Sequence, residues 1–261
     1  MKKKVAIISA VRKKNPMTEV FEERLRRALD RAGVVNEYKT FCVVSERSDF
    51  NFDDVLVHNN NPLGRKWNSL SEHVHRSYDP DYWIKLDDDD LISSSLIEII
   101  DHKINQGYML IGLTDLYFYS INPRRSKYGH CGYWGGYKAR SILGPARTCS
   151  DRLFSIAGWR PWDDDIKSGL DKSFKVNTNA SYNGDTTAKI SLRNSKTYCV
   201  DIKTVGNING IGGFDIDLTE PQKLLSSFMD KDEVERVRAY REHIDKEYFN
   251  RCAEEPNISY K

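Results

Sequence analysis

The stretch of sequence that decides the fold reads Tyr82-Trp83-Ile84-Lys85-Leu86-Asp87-Asp88-Asp89-Asp90. Its first half is a mostly apolar run, which is typical of a buried strand, and four carboxylates follow directly. Adjacent carboxylates repel one another, so together they are costly unless a cation neutralises them. Two of them spaced i, i+2 can converge on one hard divalent ion that also holds a diphosphate. The sequence therefore predicts a metal site here, with a solvated acidic turn as the alternative.

Strands and helices alternate in the first 107 residues. Apolar runs predict strands at 4–11, 39–45, 55–58 and 82–86. Helical periodicity covers 18–32 and 67–78, and a Ser95–Glu98 capping box opens a third helix that Gly107 closes. This order predicts a parallel sheet with helices on its faces, in which ligands bind beyond the carboxyl ends of the strands. The acidic run lies where such a site is expected.

The pattern changes after residue 108. The sequence predicts a strand at 109–119, a helix at 151–157, a polar irregular segment at 171–195, a strand at 198–205 and a closing helical region at 221–249. The chain has 261 residues and a net charge of +2, which fits one large domain or two fused ones. No apolar run reaches the ~20 residues of a membrane span. Five scattered cysteines without a CxxC pair favour reduced thiols and a cytoplasmic location.

Four segments together carry a resemblance to a known family. The stretch 83–90 resembles the strand and DxD motif of GT-A-fold glycosyltransferases of the family 2 type. The other three follow in the family's order: Gly64-Arg65-Lys66-Trp67-Asn68 resembles its basic and Asn signature, the segment 132–140 its Gly-Gly segment, and Asp164-Asp165-Ile166-Lys167-Ser168-Gly169 its EDVxxG pattern.

The resemblance implies an α/β fold with a GT-A-like, Rossmann-type mixed sheet flanked by helices and a C-terminal helical tail. It implies a catalytic domain at 1–219, divided into a nucleotide-sugar half at 1–107 and an acceptor half at 108–219, and a helical extension at 220–261. The implied activity is metal-dependent transfer of a sugar from a UDP-sugar to an acceptor hydroxyl, with Mn²⁺ or Mg²⁺ at the diphosphate.

The resemblance also implies roles for single residues. Asp89 would bind the metal, Asp87 the metal or the ribose, and Asp88 with Asp90 is the competing register. The residues expected at the donor are Ala10, Val11, Arg12, Glu46, Lys66, Asn68, Asp87 and Asp88. Those expected at the acceptor are Arg124, Arg125, Trp134, Gly135, Gly136 and Asp171.

Transfer also needs a carboxylate that takes the proton of the acceptor hydroxyl. Asp165 is the first candidate for this base and Asp164 the second. The alternative is that these aspartates begin a helix and stabilise its positive end. A late third metal ligand of the family, often His, has no clear match, because His243 alone follows His130. The glycine-rich segment 206–212 either closes over the diphosphate or forms an ordinary turn.

One long segment in the acceptor half of the sequence contains no acidic residue. Residues 116–150 contain no Asp or Glu but six Lys and Arg residues and several aromatic ones. Basic groups bind phosphates and aromatic faces stack on bases, so the leading expectation is DNA with a hydroxymethylated base, as in bacteriophage GT-A enzymes. A surface glycan or lipid-linked saccharide is the alternative acceptor. Two other classes stay open: a metal-dependent nuclease and a non-catalytic nucleic-acid-binding domain.

Overall fold

The computed structural model describes residues 1–59, 62–121, 131–134, 142–181, 184–203, 217–218 and 221–254. The strands in this part of the chain are β1 (Lys4–Val11), β2 (Glu37–Val44), β3 (Asp54–Val57), β4 (Tyr82–Lys85), β5 (Asp90–Ile92), β6 (Leu110–Leu113), β7 (Leu116–Ser120), β8 (Cys131–Trp134), β9 (Arg147–Ser150), β10 (Thr187–Ile190), β11 (Cys199–Lys203) and β12 (Asp217–Leu218). The helices are α1 (Pro16–Arg31), α2 (Leu63–Ser77), α3 (Ser94–Asn105), α4 (Asp151–Ile156), α5 (Leu170–Asn177), α6 (Leu192–Ser195), α7 (Pro221–Leu225) and α8 (Lys231–Glu254).

The larger sheet has the strand order β10-β6-β9-β4-β1-β2-β3. β1 lies between β2 and β4 and pairs with both in parallel. Val5–Ile8 are fully buried, because both faces of this central strand are covered. The continuous apolar run therefore has its physical reason, and the predicted bounds of this strand are confirmed.

β9 makes the larger sheet mixed. It runs antiparallel to both of its neighbours, β4 and β6. The register places Arg147 opposite Lys85, the last residue of β4. A second cation therefore stands beside the start of the acidic run, and the expectation of a mixed sheet flanked by helices is confirmed.

The smaller sheet has the order β12-β8-β7-β11-β5. β11 is parallel to β7 and antiparallel to β5, and Asp201 stands opposite Asp90. The single strand predicted at 109–119 is two strands, β6 and β7, in different sheets. The segment 171–195, predicted as irregular, contains α5, β10 and α6.

The cap of α3 differs from the prediction. The N-cap is Ser93, whose hydroxyl accepts a hydrogen bond from the N–H of Leu96. The Ser95 hydroxyl instead lies 2.8 Å from that of Thr197, and Glu98 accepts from the N–H of Gly33. The Ser95–Glu98 capping box was therefore wrong, because both side chains bind other elements.

α8 packs on α1 through charged groups. Arg24 of α1 and Glu233 of α8 are buried and 3.1 Å apart, and Arg24 also donates to the carbonyl of Phe228. Around this pair, Arg27 and Arg31 bind Asp230, and Arg27 also binds Asp232. The contacts tie the helical tail to the first helix of the larger sheet.

Several residues of the acceptor prediction cannot be placed. Arg124, Arg125, Gly135 and Gly136 and the segment 206–212 lie outside the described residues. Of Trp134 only its place in β8 is described.

Candidate active site at the acidic run

The acidic run turns sharply between β4 and β5. The N–H of Asp87 donates to a carboxylate oxygen of Asp90 at 3.1 Å, and the N–H of Asp90 donates to the carbonyl of Asp87 at 3.1 Å. The turn gathers Asp87, Asp89 and Asp90, each of which has a carboxylate oxygen within 4.8 Å of the others. This acidic triad is thus composed of oxygen ligands of the kind that Mg²⁺ and Mn²⁺ prefer.

Asp88 is not one of the three carboxylates that cluster within 4.8 Å, but it interacts electrostatically with Asp89, Asp87 and Lys66. Desolvation and the neighbouring Asp89 and Asp87 carboxylates raise the pKa of Asp88 to about 7. Of the two registers considered from the sequence, the geometry brings Asp87 and Asp89 together, and Asp90 joins them.

Lys66 connects the carboxyl ends of β1 and β2. Its ammonium donates to the carbonyl of Val11 at 2.6 Å and to the hydroxyl of Ser45 at 2.9 Å. The side chain is fully buried, and burial lowers the pKa of Lys66 to about 8. Ala10, Val11 and Arg12 lie at or just after the end of β1, and Glu46 follows Ser45 beyond the end of β2. Of the residues expected at the donor, Ala10, Val11, Arg12, Glu46 and Lys66 therefore lie at one edge of the sheet.

Two buried lysines neutralise part of the acidic run. Lys85 forms an ion pair with Asp87, and its ammonium lies 4.8 Å from the centre of the Trp67 ring. Lys203, at the end of β11, forms an ion pair with Asp201 and interacts electrostatically with Asp89. Desolvation opposes both charges, but the carboxylates outweigh it and raise the pKa of Lys85 and of Lys203.

Asp201 adds a fourth carboxylate on the opposite strand. It is 7% exposed, and its Oδ1 has no hydrogen-bond partner among the described residues. The N–H of its neighbour Ile202 donates to the carbonyl of Asp89 at 2.8 Å, which fixes β11 against the run. Burial and the Asp89 carboxylate raise the pKa of Asp201 to about 7. An unsatisfied buried oxygen among carboxylates fits a site for a divalent cation.

Asp171 reaches the same region from α5. Its carboxylate lies 2.8 Å from the guanidinium of Arg147, and it interacts electrostatically with Lys85. Partial desolvation opposes ionisation, but these cations outweigh it and lower the pKa of Asp171. A Cβ at Gly144 would come within 2.9 Å of this carboxylate, so a glycine leaves it room.

The segment 163–166 packs on the start of α2. The N–H of Gly64 donates to the carbonyl of Ile166 at 3.0 Å, and that of Arg65 to the carbonyl of Asp164 at 3.2 Å. A Cβ at Gly64 would overlap the carbonyl of Asp163 at 2.0 Å, so no larger residue fits. Two segments that carried the resemblance are therefore in direct contact.

The candidate bases Asp164 and Asp165 differ in their surroundings. Asp164 accepts from Asn68 at 2.9 Å and from Arg160 at 2.7 Å, and the Asn68 bond together with Arg160 lowers the pKa of Asp164. Asp165 is mostly exposed, with Arg65 at 3.1 Å. The alternative that these aspartates begin a helix was wrong, since the next helix begins at Leu170 after the N-cap Gly169.

Four charged residues of the site were missed in the sequence: Lys85, Arg147, Asp201 and Lys203. A signal existed for Lys85 and Lys203, because each is a lysine within or at the end of a mostly apolar run. The register that brings β9 and β11 to the acidic run depends on distant pairing, which short-range patterns do not encode.

No described helix is long and apolar enough to cross a membrane. Cys42, Cys149 and Cys199 are free and buried.

Comparisons with known proteins concern the fold. No protein-family model and no curated protein sequence matches the chain. Among solved structures, S. aureus TarS 1–349 in complex with UDP-GlcNAc has a TM-score of 0.52 at 16% identity, over 97% of this chain and 72% of that one. TarS 1–349 in complex with UDP has a TM-score of 0.50 at 13% identity, with the same coverage. The chain thus has a GT-A-like fold of the kind found in nucleotide-sugar transferases.

Proposed function

We propose that this chain is a metal-dependent glycosyltransferase that moves a sugar from a UDP-sugar to an acceptor hydroxyl. The observation that carries the proposal is the acidic triad of Asp87, Asp89 and Asp90 at the carboxyl edge of the sheet. Ligands of such sheets bind at that edge. A structure of the same fold holds UDP-GlcNAc, which supports a nucleotide-sugar donor.

The acidic triad supplies the metal ligands in this proposal. Asp87 and Asp89 would hold Mn²⁺ or Mg²⁺, which acts as a Lewis acid on the diphosphate that leaves the sugar. The donor's nucleoside end lies along the edge formed by Ala10, Val11, Arg12 and Glu46. Lys66 keeps this edge together through its bonds to Val11 and Ser45, and Asn68 fixes the segment at 162–164 beside it.

The proton of the acceptor hydroxyl passes to an aspartate. Asp165, with Asp164 second, is the base proposed from the sequence. A specific observation favours Asp171: it interacts with Lys85, the ion-pair partner of Asp87, and Arg147 holds its carboxylate ionised. An ionised carboxylate can accept the proton of the acceptor hydroxyl while the diphosphate leaves.

For the acceptor we propose DNA that carries a hydroxymethylated base. The support is the acid-free sequence 116–150 with its basic and aromatic residues, including Arg124, Arg125 and Trp134. A hydroxymethyl group on a base would have to leave the base stack to reach the site. A surface glycan or lipid-linked saccharide is the other acceptor class. A cytoplasmic setting agrees with the free buried thiols.

The test is a transfer assay with Mn²⁺ and a panel of UDP-sugars. Purified protein is incubated with hydroxymethylated DNA and, separately, with oligosaccharide acceptors. The masses of the products are measured by mass spectrometry. We expect donor binding or slow donor hydrolysis that needs the metal, and one hexose or pentose added to one acceptor class. Nucleic-acid cleavage without any donor would contradict the proposal and indicate a nuclease. Binding of DNA with neither reaction would indicate a non-catalytic domain.

A further inference from the structure

The acidic triad has a buried neighbour that no other part of the site accounts for. Asp201 stands directly opposite Asp90 in the antiparallel pair of β5 and β11. Residues that face each other in this way carry their side chains on the same side of the sheet. Both residues are buried, with 2% of Asp90 and 7% of Asp201 exposed. Like charges in direct opposition destabilise a sheet, and a cation between them would offset that repulsion.

Two lysines among the described residues lie at these carboxylates. Lys85 pairs with Asp87, and Lys203 pairs with Asp201 through Oδ2. Among the described residues, these two ammonium groups therefore lie among four carboxylates, those of Asp87, Asp89, Asp90 and Asp201. A divalent cation would add positive charge to this cluster.

The free oxygen of Asp201 supplies a second, independent observation. Its Oδ1 is shielded from solvent and has no hydrogen-bond partner in the described part of the chain. A buried polar atom without a partner costs free energy, so such atoms are rare unless a ligand satisfies them. Asp201 interacts electrostatically with both Asp89 and Asp87, so its carboxylate lies near the acidic triad.

We propose that Asp201 is a further carboxylate ligand of the divalent cation held by the acidic triad, and that Lys203 is the counter-ion that competes with this cation. The inference rests on the metal dependence of the proposed function. It gives this chain a metal-binding residue on β11, where the sequence offers no histidine. Lys203 lies at the end of β11, so it holds Asp201 in place before the cation binds.

Manganese binding without a donor tests the proposal. Free Mn²⁺ is titrated into the full chain and followed by electron paramagnetic resonance, and thermal melting is recorded with and without the metal. We expect Asp201→Asn to weaken Mn²⁺ binding by at least roughly tenfold, since even a residue that only orients a metal ligand contributes about that much. Without metal its melting temperature equals or exceeds that of the wild type, because a repelled carboxylate is gone. If Asp201 served only as the partner of Lys203, the variant would melt lower and bind Mn²⁺ as the wild type does, which would overturn the proposal.

Two further variants complete the design. Lys203→Met removes the competing cation, so we expect Mn²⁺ to bind at least about threefold more tightly; unchanged or weaker binding would contradict the counter-ion role even if Asp201→Asn did not fold. Asp101→Asn removes another buried carboxylate, one that accepts from Asn36 away from the acidic triad, and leaves metal binding unchanged. If the wild type binds no Mn²⁺, the metal-dependent function itself fails. If Asp89→Asn loses the metal but Asp201→Asn keeps it, this inference alone fails.

Discussion

At the residue scale, the four adjacent aspartates of the run have different tasks because the chain turns between them. Asp87, Asp89 and Asp90 converge, whereas Asp88 is outside this group. The i, i+2 spacing of Asp87 and Asp89 in the sequence predicted that these two carboxylates converge. The inclusion of Asp90 was not predicted, because it depends on the hydrogen bond from the N–H of Asp87 that closes the turn.

Asp89→Asn tests this division of tasks. An amide keeps the shape of the side chain but loses its charge, so we expect Mn²⁺ affinity to fall at least roughly tenfold while the fold is retained. Asp88→Asn is the matched control, since it alters the adjacent carboxylate outside the acidic triad, and it should bind the metal nearly as well as the wild type. Isothermal titration calorimetry with far-UV circular dichroism measures both. A loss in Asp88→Asn with normal binding in Asp89→Asn would support the other register.

The base can be identified by comparing two aspartates. We expect Asp171→Asn to bind the UDP-sugar normally but to transfer about 10²–10⁴-fold more slowly, because no carboxylate then accepts the hydroxyl proton. Arg147 and Lys85 lower the pKa of Asp171, so wild-type transfer should persist at mildly acidic pH. Single-turnover rates and donor affinities provide the measurement. Asp165→Asn is the parallel variant: if it loses turnover and Asp171→Asn does not, the base is the residue chosen from the sequence.

At the element scale, the success of a sequence prediction depended on how local its cause is. The bounds of β1 follow from one apolar run that is buried on both faces. The three-residue strand β5 was missed, because its pairing with β11 joins residues more than 100 positions apart. The cap of α3 was assigned to Ser95 instead of Ser93 for a related reason: Thr197, far along the chain, binds the Ser95 hydroxyl.

The attachment of α8 to α1 makes a prediction about the helical tail. Arg24 and Glu233 are almost fully buried. Glu233→Ala leaves the guanidinium of Arg24 buried without its carboxylate, so we expect a loss of about 3–5 kcal/mol in the free energy of unfolding. The double variant Arg24→Met, Glu233→Leu removes both charges and should recover most of that loss. Urea denaturation measures all three proteins. A double variant as unstable as Glu233→Ala would show that the ion pair itself, and not the unpaired charge, stabilises this contact.

At the scale of the whole molecule, the fold brings several carboxylates together at one edge of the sheet, and their mutual repulsion lowers its stability. Asp87 and Asp89 lie in the turn between β4 and β5, Asp90 begins β5, and Asp201 lies opposite it in β11. The four carboxylates thus lie where β4 of the larger sheet leads into β5 of the smaller one. The sequence predicted the GT-A-like fold and the layering of helices on a sheet, and it indicated a metal site at the acidic run, which stays a prediction. It did not predict that Asp201 lies opposite Asp90, because that depends on which strands become neighbours.

The same charges predict how stability changes with pH. The pKa of Asp88 and of Asp201 is about 7 in the folded protein, well above the ordinary value of about 4 for an aspartate in an unfolded chain. Between these values the folded protein holds protons that the unfolded chain has released, so raising the pH removes stability. We expect the melting temperature of the metal-free protein to fall between pH 5 and 8. Saturating Mn²⁺ should reduce that fall, since the cation favours the ionised carboxylates, and Asp201→Asn should make the metal-free curve flatter. A melting temperature that rises over this interval without metal would show that the carboxylates are neutralised by the protein alone.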